Sequence, residues 1–243
     1  MVYEPRTYRE AVDAAGLVSF EVVRAETDLH ISASRDLSSE AATLVEHLRT
    51  PLEDYIATHP HFAESFVPVE VEPEVPEIVR AMADAARAVG VGPMAAVAGA
   101  VAERVARGLA AFSSEVIVEN GGDLYLVGAA PRTVLLQAGD SLLSGKVALE
   151  VRAEDLPVAI CTSSGTVGHS VSLGVADAVT VLADDGALAD AAATAVGNLI
   201  HCPDDIEAAI AHGRAIPGVR GVVIIVGEHI GAAGEMRLVR VGA

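Results

Sequence analysis

The chain is 243 residues long, and 51% of its residues are apolar, yet it contains only four Phe, four Tyr and no Trp. A chain of this length can bury a sizeable core, which here must be built from Ala, Val, Leu and Ile. The net charge of −18 argues against nucleic acid or an anionic membrane as a partner, because phosphate contacts need clustered Lys and Arg. Any phosphate-bearing ligand would have to be held by backbone amides, helix ends or a metal ion.

Two cysteines, Cys161 and Cys202, are too few and too far apart in sequence to indicate a zinc site. Cys202 is expected to be reduced, partly buried and inert, whereas the polar neighbours of Cys161 leave thiol or sulfur chemistry open there. The charged N-terminus shows no secretory or lipoprotein signal. No uninterrupted apolar stretch of about 18 residues indicates a membrane span, so we expect a cytoplasmic protein.

Short apolar segments bounded by turn residues recur along the chain. They predict strands over residues 18–22, 29–32, 115–119, 123–127, 133–137, 146–152, 158–161, 178–182, 219–226 and 236–241. Apolar positions at helical spacing predict helices from Ser38 or Ser39 to Ile56 and over residues 76–89, 93–111, 187–200 and 206–212. This order predicts an α+β fold, with helices packed on antiparallel sheet, rather than alternating β-α-β units. We expect one domain over residues 1–243, and two similar, interlocked halves fit the same order.

Three local features refine this prediction. Pro51 is expected to kink or divide the first helix. Residues 59–76 contain four prolines and are expected to form an extended surface connector. Residues 94–100 carry no polar side chain, so either a sheet or a flat ligand could lie against the backbone of that helix.

The segment from Ala159 to Ser170 is the most informative part of the sequence. A short apolar strand runs into small and polar residues, which include Thr162, Ser163, Ser164, Gly165, Thr166 and His169. The hydroxyls and backbone amides of such a loop can surround an anionic ligand, although a Ser/Gly turn without function is the alternative. His169 could act as a general acid or base near neutral pH, or make a structural hydrogen bond within the loop.

Asp190 and Thr194 are four residues apart, so on a helix their oxygens share one face. Such oxygens suit magnesium or calcium, with phosphate oxygens and waters completing the coordination shell. Magnesium bridging a pyrophosphate would let this acidic protein hold a nucleotide without Lys or Arg. The alternatives are a solvated or helix-dipole carboxylate for Asp190 and a hydroxyl bonded one turn back for Thr194.

A strong hairpin signal, Asn120-Gly121-Gly122, lies between two predicted strands. The turn explains the two glycines without any function. Asp123 follows them directly and is not required by the turn, which makes it a further site candidate.

Together and in this order, the motifs resemble the ApbE-like superfamily, whose members include magnesium-dependent FAD:protein FMN transferases. The matching blocks are the Gly-Gly-Asp hairpin at 119–124, the Thr-Ser-Gly loop at 161–165, the Ala-Asp-x-x-x-Thr helix at 189–195 and, more loosely, the small-residue helix at 97–103. The likeness extends from about residue 90 to 200. The segments 91–99 and 163–170 are similar to a short, cytoplasmic branch of that superfamily.

The resemblance implies a T-fold-type α+β architecture, magnesium, and FAD or FMN as the phosphate-bearing ligand, with an acceptor protein as a partner. It implies magnesium ligation by Asp190 and Thr194 and catalytic roles for His169 and Asp190. It also implies flavin contacts from Gly99, Glu103, Asn120, Gly121, Gly122, Asp123, Thr162, Ser163, Ser164, Gly165 and Thr166.

The chain departs from the transferase pattern at two places. The transferases have a Lys-Gly pair followed by an Asp in the small-residue helix, where this chain has Ala98-Gly99 and Glu103. They also carry a His-x-x-Asp-Pro segment after the loop, for which only His169 could stand in. Two hypotheses follow: a magnesium-dependent flavin or nucleotide-binding protein with transferase activity, or a non-catalytic binding or accessory protein that kept the fold.

Under either hypothesis we expect one cleft. Asp190 and Thr194 should face the loop of residues 162–169 across it, with residues 120–123 at its rim. The small residues 95–99 should leave room for a flat ligand. The sequence assigns no oligomeric state.

Overall fold

The computed structural model describes residues 12–165 and 174–241, and the account below concerns these ranges. The strands are β1 Val18–Arg24, β2 Thr27–Ala33, β3 Val116–Asn120, β4 Asp123–Val127, β5 Arg132–Leu135, β6 Val147–Val151, β7 Val158–Ser163, β8 Ala178–Ala183, β9 Val219–Val226, β10 His229–Gly234 and β11 Leu238–Arg240. The α-helices are α1 Ser38–Thr58, α2 His61–Glu64, α3 Glu77–Val89, α4 Val97–Leu109, α5 Gly186–Gly197 and α6 Ile206–Ala215.

The strands of the described ranges form two antiparallel sheets. Eight strands pair in the order β1-β2-β3-β4-β7-β8-β9-β10, and three pair in the order β11-β6-β5. Most neighbours in the large sheet are also neighbours along the chain, as hairpin connections require. The predicted α+β fold, with helices packed on antiparallel sheet, is confirmed.

Period-two alternation gives the large sheet two apolar faces. On one face, residues such as Leu29, Val118 and Tyr125 belong to the core that contains the helices. On the other face, Ile117 and Leu126 pack with residues of the small sheet. Helices and the small sheet therefore cover opposite faces of the large sheet, and side-chain parity decides which layer a residue meets.

Helices α4 and α5 cross in close contact on the large sheet. A Cβ atom on Gly99 of α4 would overlap the carbonyl oxygen of Gly186 of α5, and it would lie 2.8 Å from the Cβ atom of Asp190. A Cβ atom on Gly186 would in turn overlap the carbonyl oxygen of Gly99. Only glycine allows this approach of two backbones, and the crossing brings the first turn of α4 to Asp190.

Several local predictions need correction. Pro51 does not divide the first helix, since α1 is continuous through it; the carbonyl that Pro51 leaves unbonded belongs to the exposed residue His47, where water can satisfy it. The N-cap of α1 is Leu37 rather than Ser38 or Ser39. The predicted helix from Pro93 begins as a 3₁₀ turn and becomes α-helical at Val97.

The sequence reading also missed strand β10, whose small residues gave no alternating pattern. The expected extended connector contains the short helix α2.

Within the described ranges, no single helix is both long and apolar enough to cross a membrane. Glu77–Val89 and Pro93–Leu109 would satisfy that test only as a pair, and they are bent by 104° at the break between them.

Candidate functional site

The hairpin between β3 and β4 presents two polar side chains toward the helices. Gly121 and Gly122 have φ values of 66° and 102°, which the tight turn requires and glycine adopts without strain. Asn120 and Asp123 are direct partners across the hairpin. The Nδ2 atom of Asn120 donates a hydrogen bond of 3.1 Å to the carbonyl of Ala98, so the hairpin is attached to the first turn of α4.

Asp123 is buried beside the end of strand β7. Asp123 is 5% exposed. Its Oδ1 atom accepts a hydrogen bond of 3.1 Å from the backbone N–H of Thr162. The Cys161 thiol lies next to the same carboxyl and donates to the carbonyl of Gly186 over 3.7 Å. Asp123 thus connects the hairpin, β7 and the start of α5.

Asp190 caps a helix to which it does not belong. Its Oδ2 atom accepts a hydrogen bond of 3.0 Å from the backbone N–H of Gly99. Gly99 is the third residue of α4, and the helix's own N-cap, Ala96, makes no side-chain capping bond. Asp190 therefore satisfies an N–H that the helix leaves unbonded. Asp190 is therefore not simply a solvated carboxylate. It does interact with a helix dipole, but with that of α4 rather than that of its own helix, α5.

The two carboxyls of Asp123 and Asp190 affect each other. Burial, together with the neighbouring charge of Asp190, raises the pKa of Asp123 well above its usual value. Burial raises the pKa of Asp190 to about 7, against the opposing effect of the backbone N–H groups of Gly99 and Ala98. A site of this kind favours a proton or a cation between the two groups.

Thr194 lies one turn after Asp190 on α5 and is 9% exposed. Helical spacing places it on the same face of the helix as Asp190. Gly197, at the end of the same helix, packs against Gly174, and Gly174 packs against Gly165 at the end of β7. The helix face of Asp190 and Thr194 therefore leads to the two residues that flank the undescribed segment 166–173.

The residues of the predicted loop separate by side-chain direction. Thr162 points to the face opposite the helices, where its Oγ1 atom lies 2.9 Å from that of Thr180. Ser163 lies on the helix face and is 5% exposed, and its Oγ atom has no hydrogen-bond partner within the described part of the chain. Ser164 is half-buried and Gly165 is exposed. Thr166 and His169 lie outside the described residues.

Gly99 and Glu103 have internal partners. The two carboxylate oxygens of Glu103 accept hydrogen bonds of 2.7 Å each, from the N–H of Gly186 and from the Nε atom of Arg107. The Gly99 face of α4 is filled by α5. The expectation that this part of the small-residue face leaves room for a flat ligand is wrong, because a helix occupies that space.

The environments of the two cysteines differ. Cys161 is fully buried, and burial and the nearby carboxyls of Asp123 and Asp190 raise its pKa well above the usual value. A thiol that stays protonated is a poor nucleophile, so the geometry opposes thiol chemistry at Cys161. Cys202 is exposed, and the expectation that it is partly buried is wrong.

No group of three or more His, Cys, Asp or Glu side chains in the described ranges is arranged to hold a metal ion. A hard cation at Asp123 and Asp190 would need hydroxyl, phosphate or water oxygens to complete its coordination. With those further oxygens, the two carboxylates would form a donor set that suits magnesium or calcium. A separate groove of about 630 Å³ between β1 and α1 contains none of the candidate residues.

Sequence reasoning missed two parts of this arrangement. It gave no role to Gly186, and it did not foresee that Asp190 caps α4. Both depend on the crossing of two helices that are distant in sequence, for which the chain offers no local signal beyond the two glycines.

Comparisons with known proteins agree with the architecture. The family model described as AbpE bacteria matches residues 9–238. UPF0280 proteins of Methanocaldococcus jannaschii and Methanopyrus kandleri are each 42% identical to the chain, over 202 and 229 residues. These matches cover 81% and 90% of this chain, and 82% and 91% of the two relatives.

Solved structures give the same result at greater distance. The ApbE protein of Thermotoga maritima matches with a TM-score of 0.55 and 15% identity, over 89% of this chain and 97% of that chain. The flavin transferase ApbE of Vibrio cholerae matches with a TM-score of 0.55 and 15% identity, over 90% and 96%. At this identity, the structural likeness shows the shared fold.

Proposed function

We propose, because the chain belongs to the family described as AbpE bacteria, that it binds a phosphate-bearing nucleotide of the flavin class, FAD or FMN, together with magnesium. Its activity would be transfer of FMN or a related nucleotidyl group to an acceptor protein, in the cytoplasm. The observation that carries the proposal is the convergence of Asp190, Asp123 and the end of β7 on the helix face of the large sheet.

The protein has a structural reason to use a cation for this task. The phosphates of a nucleotide would enter a site with a buried carboxyl, Asp123, and a half-buried one, Asp190, in a chain of net charge −18. Arg107, a basic side chain of the adjacent helix α4, is already bonded to Glu103. Bound at this site, magnesium would offset the repulsion between carboxylates and phosphates and would polarise a phosphoryl oxygen.

Two residues of α5 would hold the magnesium. Asp190 is fixed by its hydrogen bond to the N–H of Gly99, so little side-chain freedom remains to be lost on binding. Thr194 adds a hydroxyl from the next turn of the same helix. The hydroxyls and amides of residues 163–166 and the hairpin of residues 120–123 would contact the nucleotide, and His169 would act as the general acid or base. Thr162 is excluded from this set, because its hydroxyl faces Thr180 and its N–H is bonded to Asp123.

The test is flavin binding with and without magnesium. Purified protein is titrated with FAD and with FMN in magnesium or in EDTA, and binding is followed by flavin fluorescence. We expect magnesium to strengthen binding and Asp190→Asn to weaken the magnesium-dependent part by about tenfold or more. Asp54→Asn, an exposed carboxylate of α1, should leave affinity unchanged. Equal affinity of wild type and Asp190→Asn in magnesium contradicts the proposal.

The second candidate function is a non-catalytic binding or accessory protein. Both carboxylate oxygens of Glu103 already accept hydrogen bonds from within the protein, which favours this function. The presence of Ala98, at the position where the transferases carry Lys, favours it as well. The two functions separate when the protein is incubated with FAD, magnesium and a candidate acceptor protein. Covalent FMN on the acceptor, detected by mass spectrometry, supports transfer, whereas flavin binding without transfer supports the accessory role.

A further inference from the structure

Asp123 is placed to contact the same ligand as Asp190. Its carboxyl is buried on the helix face of β4. Its partner across the hairpin, Asn120, donates to the carbonyl of Ala98, and the next residue, Gly99, donates its N–H to Asp190. One oxygen of Asp123 accepts the N–H of Thr162. Neither Asp123 nor Asp190 forms an ion pair with a Lys or Arg of the described ranges; the nearby Arg107 is paired with Glu103 instead. A buried carboxyl beside a half-buried one, with no basic partner, is costly unless a proton or a cation lies between them.

Ser163 supplies an independent sign of a ligand. Side chains two residues apart on a strand point to the same face, and Cys161 points at α5, where it donates to Gly186. Ser163 therefore also points toward α5, one step closer to Gly165 and to the end of that helix. Its hydroxyl is buried and has no partner within the described chain. A buried hydroxyl without a hydrogen bond is unfavourable, and a bound ligand would remove that cost.

We infer that Asp123 is a second carboxylate ligand of the cation held by Asp190, with the Ser163 hydroxyl as a further oxygen donor, so that the protein binds a divalent cation without any nucleotide. The inference rests on the proposed cation site at Asp190 and extends it across the cleft from α5 to β4 and β7. Two carboxylates and two hydroxyls, those of Ser163 and Thr194, form an all-oxygen donor set of the kind that magnesium, manganese and calcium accept.

Direct manganese binding tests this inference. Nucleotide-free protein at pH 8 is titrated with Mn²⁺, and free Mn²⁺ is measured by electron paramagnetic resonance. We expect one site per chain in the wild type, weakened about tenfold or more in Asp123→Asn and by a smaller factor in Ser163→Ala. Competition with Mg²⁺ and Ca²⁺ should displace the manganese.

Two matched controls remove a polar group from the opposite face of the sheet, on the neighbouring strands β3 and β8. Glu119→Gln changes a buried carboxylate of the same hairpin, and Thr180→Val changes a buried hydroxyl of β8. Both should bind Mn²⁺ as the wild type does, and thermal melts should confirm that each variant is folded.

The outcomes separate this inference from the proposed function. Wild-type affinity in folded Asp123→Asn overturns the inference, while the loss of magnesium-dependent flavin binding in Asp190→Asn would still support the proposed function. Absence of Mn²⁺ binding by the nucleotide-free wild type also overturns it. If Asp123→Asn does not fold, the wild-type titration and Ser163→Ala decide.

Discussion

Asp190 combines two tasks that the sequence treats as alternatives. Its carboxylate completes the N-terminus of α4 through Gly99, and it remains next to the buried carboxyl of Asp123. For its position, the sequence predicted only that it faces a cleft together with Thr194. In the structure the carboxyl is half-buried and its pKa is raised to about 7, so its protonation state is coupled to folding.

Asp190→Asn should stabilise the cation-free protein at alkaline pH. The folded-state pKa of Asp190, about 7, exceeds the unfolded value of about 3.9. Its contribution to stability is thus fully present below the unfolded value and is lost as the pH rises through 7. The Asn variant avoids this loss and keeps an oxygen that can accept the N–H of Gly99.

Thermal melts in EDTA at pH 4.5 and pH 8 measure this effect. The melting temperature of Asp190→Asn should exceed that of the wild type by a few degrees at pH 8, and the difference should shrink at pH 4.5. Asp190→Ala, which lacks the accepting oxygen, should melt below Asp190→Asn at both pH values. A wild type that is more stable than Asp190→Asn at pH 8 contradicts the expectation.

At the scale of elements, the crossing of α4 and α5 determines whether the site exists. Gly99 and Gly186 let the two backbones touch, and this contact sets Asp190 against the first turn of α4. Gly108 in the same helix has a different neighbour, since a Cβ atom there would meet the side chain of Leu44, whose methyl groups would lie at 2.7 and 2.8 Å. Gly99 and Gly108 therefore form a matched pair of positions for substitution by alanine.

Gly99→Ala should destabilise the protein by about 1–3 kcal/mol or more, because its new methyl group meets backbone that cannot move without separating the helices. Gly108→Ala should change stability by less than about 1 kcal/mol, since the gain in helix propensity offsets a small movement of Leu44. Urea unfolding measures both variants. Similar stability of the two variants would show that the crossing is adaptable.

The order of hairpins and helices could be predicted from sequence because its signals are local. Apolar alternation predicted β1 and β2, a nearly continuous apolar segment predicted β9, and the Asn120-Gly121-Gly122 turn fixed the β3–β4 hairpin. The small residues 231–234 carry no such alternation, which explains why β10 was missed. The partners of Gly99 and Asp190 depend on contacts about 90 residues apart, and no local pattern specifies them.

At the scale of the whole molecule, Asp155 joins the two sheets. It ends a 3₁₀ turn just before β7. Its Oδ2 atom accepts hydrogen bonds from the N–H of Arg152 at 2.9 Å and from Arg237 at 2.6 Å. Arg237 directly precedes β11 of the small sheet, whereas Arg220, 3.6 Å from the other oxygen, belongs to β9 of the large sheet. One carboxylate therefore links both layers on the side opposite the helices.

The carboxyl of Asp155 should contribute to stability only at pH values at which it is ionised. Burial opposes ionisation, but the N–H of Arg152 and the guanidinium groups of Arg237 and Arg220 outweigh it and lower the pKa of Asp155. A lowered folded-state pKa gives stability that is present above the unfolded value of about 3.9 and is lost as the pH falls through the folded value. Asp155→Asn should thus cost roughly 1–3 kcal/mol at pH 7.

The measurement compares urea unfolding of the wild type and Asp155→Asn from pH 7 to pH 3. The difference between them should diminish below about pH 4 as the wild-type carboxylate takes up its proton. Glu154→Gln is the matched control, because its ion pair with Arg152 is exposed and should contribute less than about 1 kcal/mol at any pH. If Asp155→Asn is as stable as Glu154→Gln at pH 7, the apolar contacts between the sheets suffice and the carboxylate is dispensable.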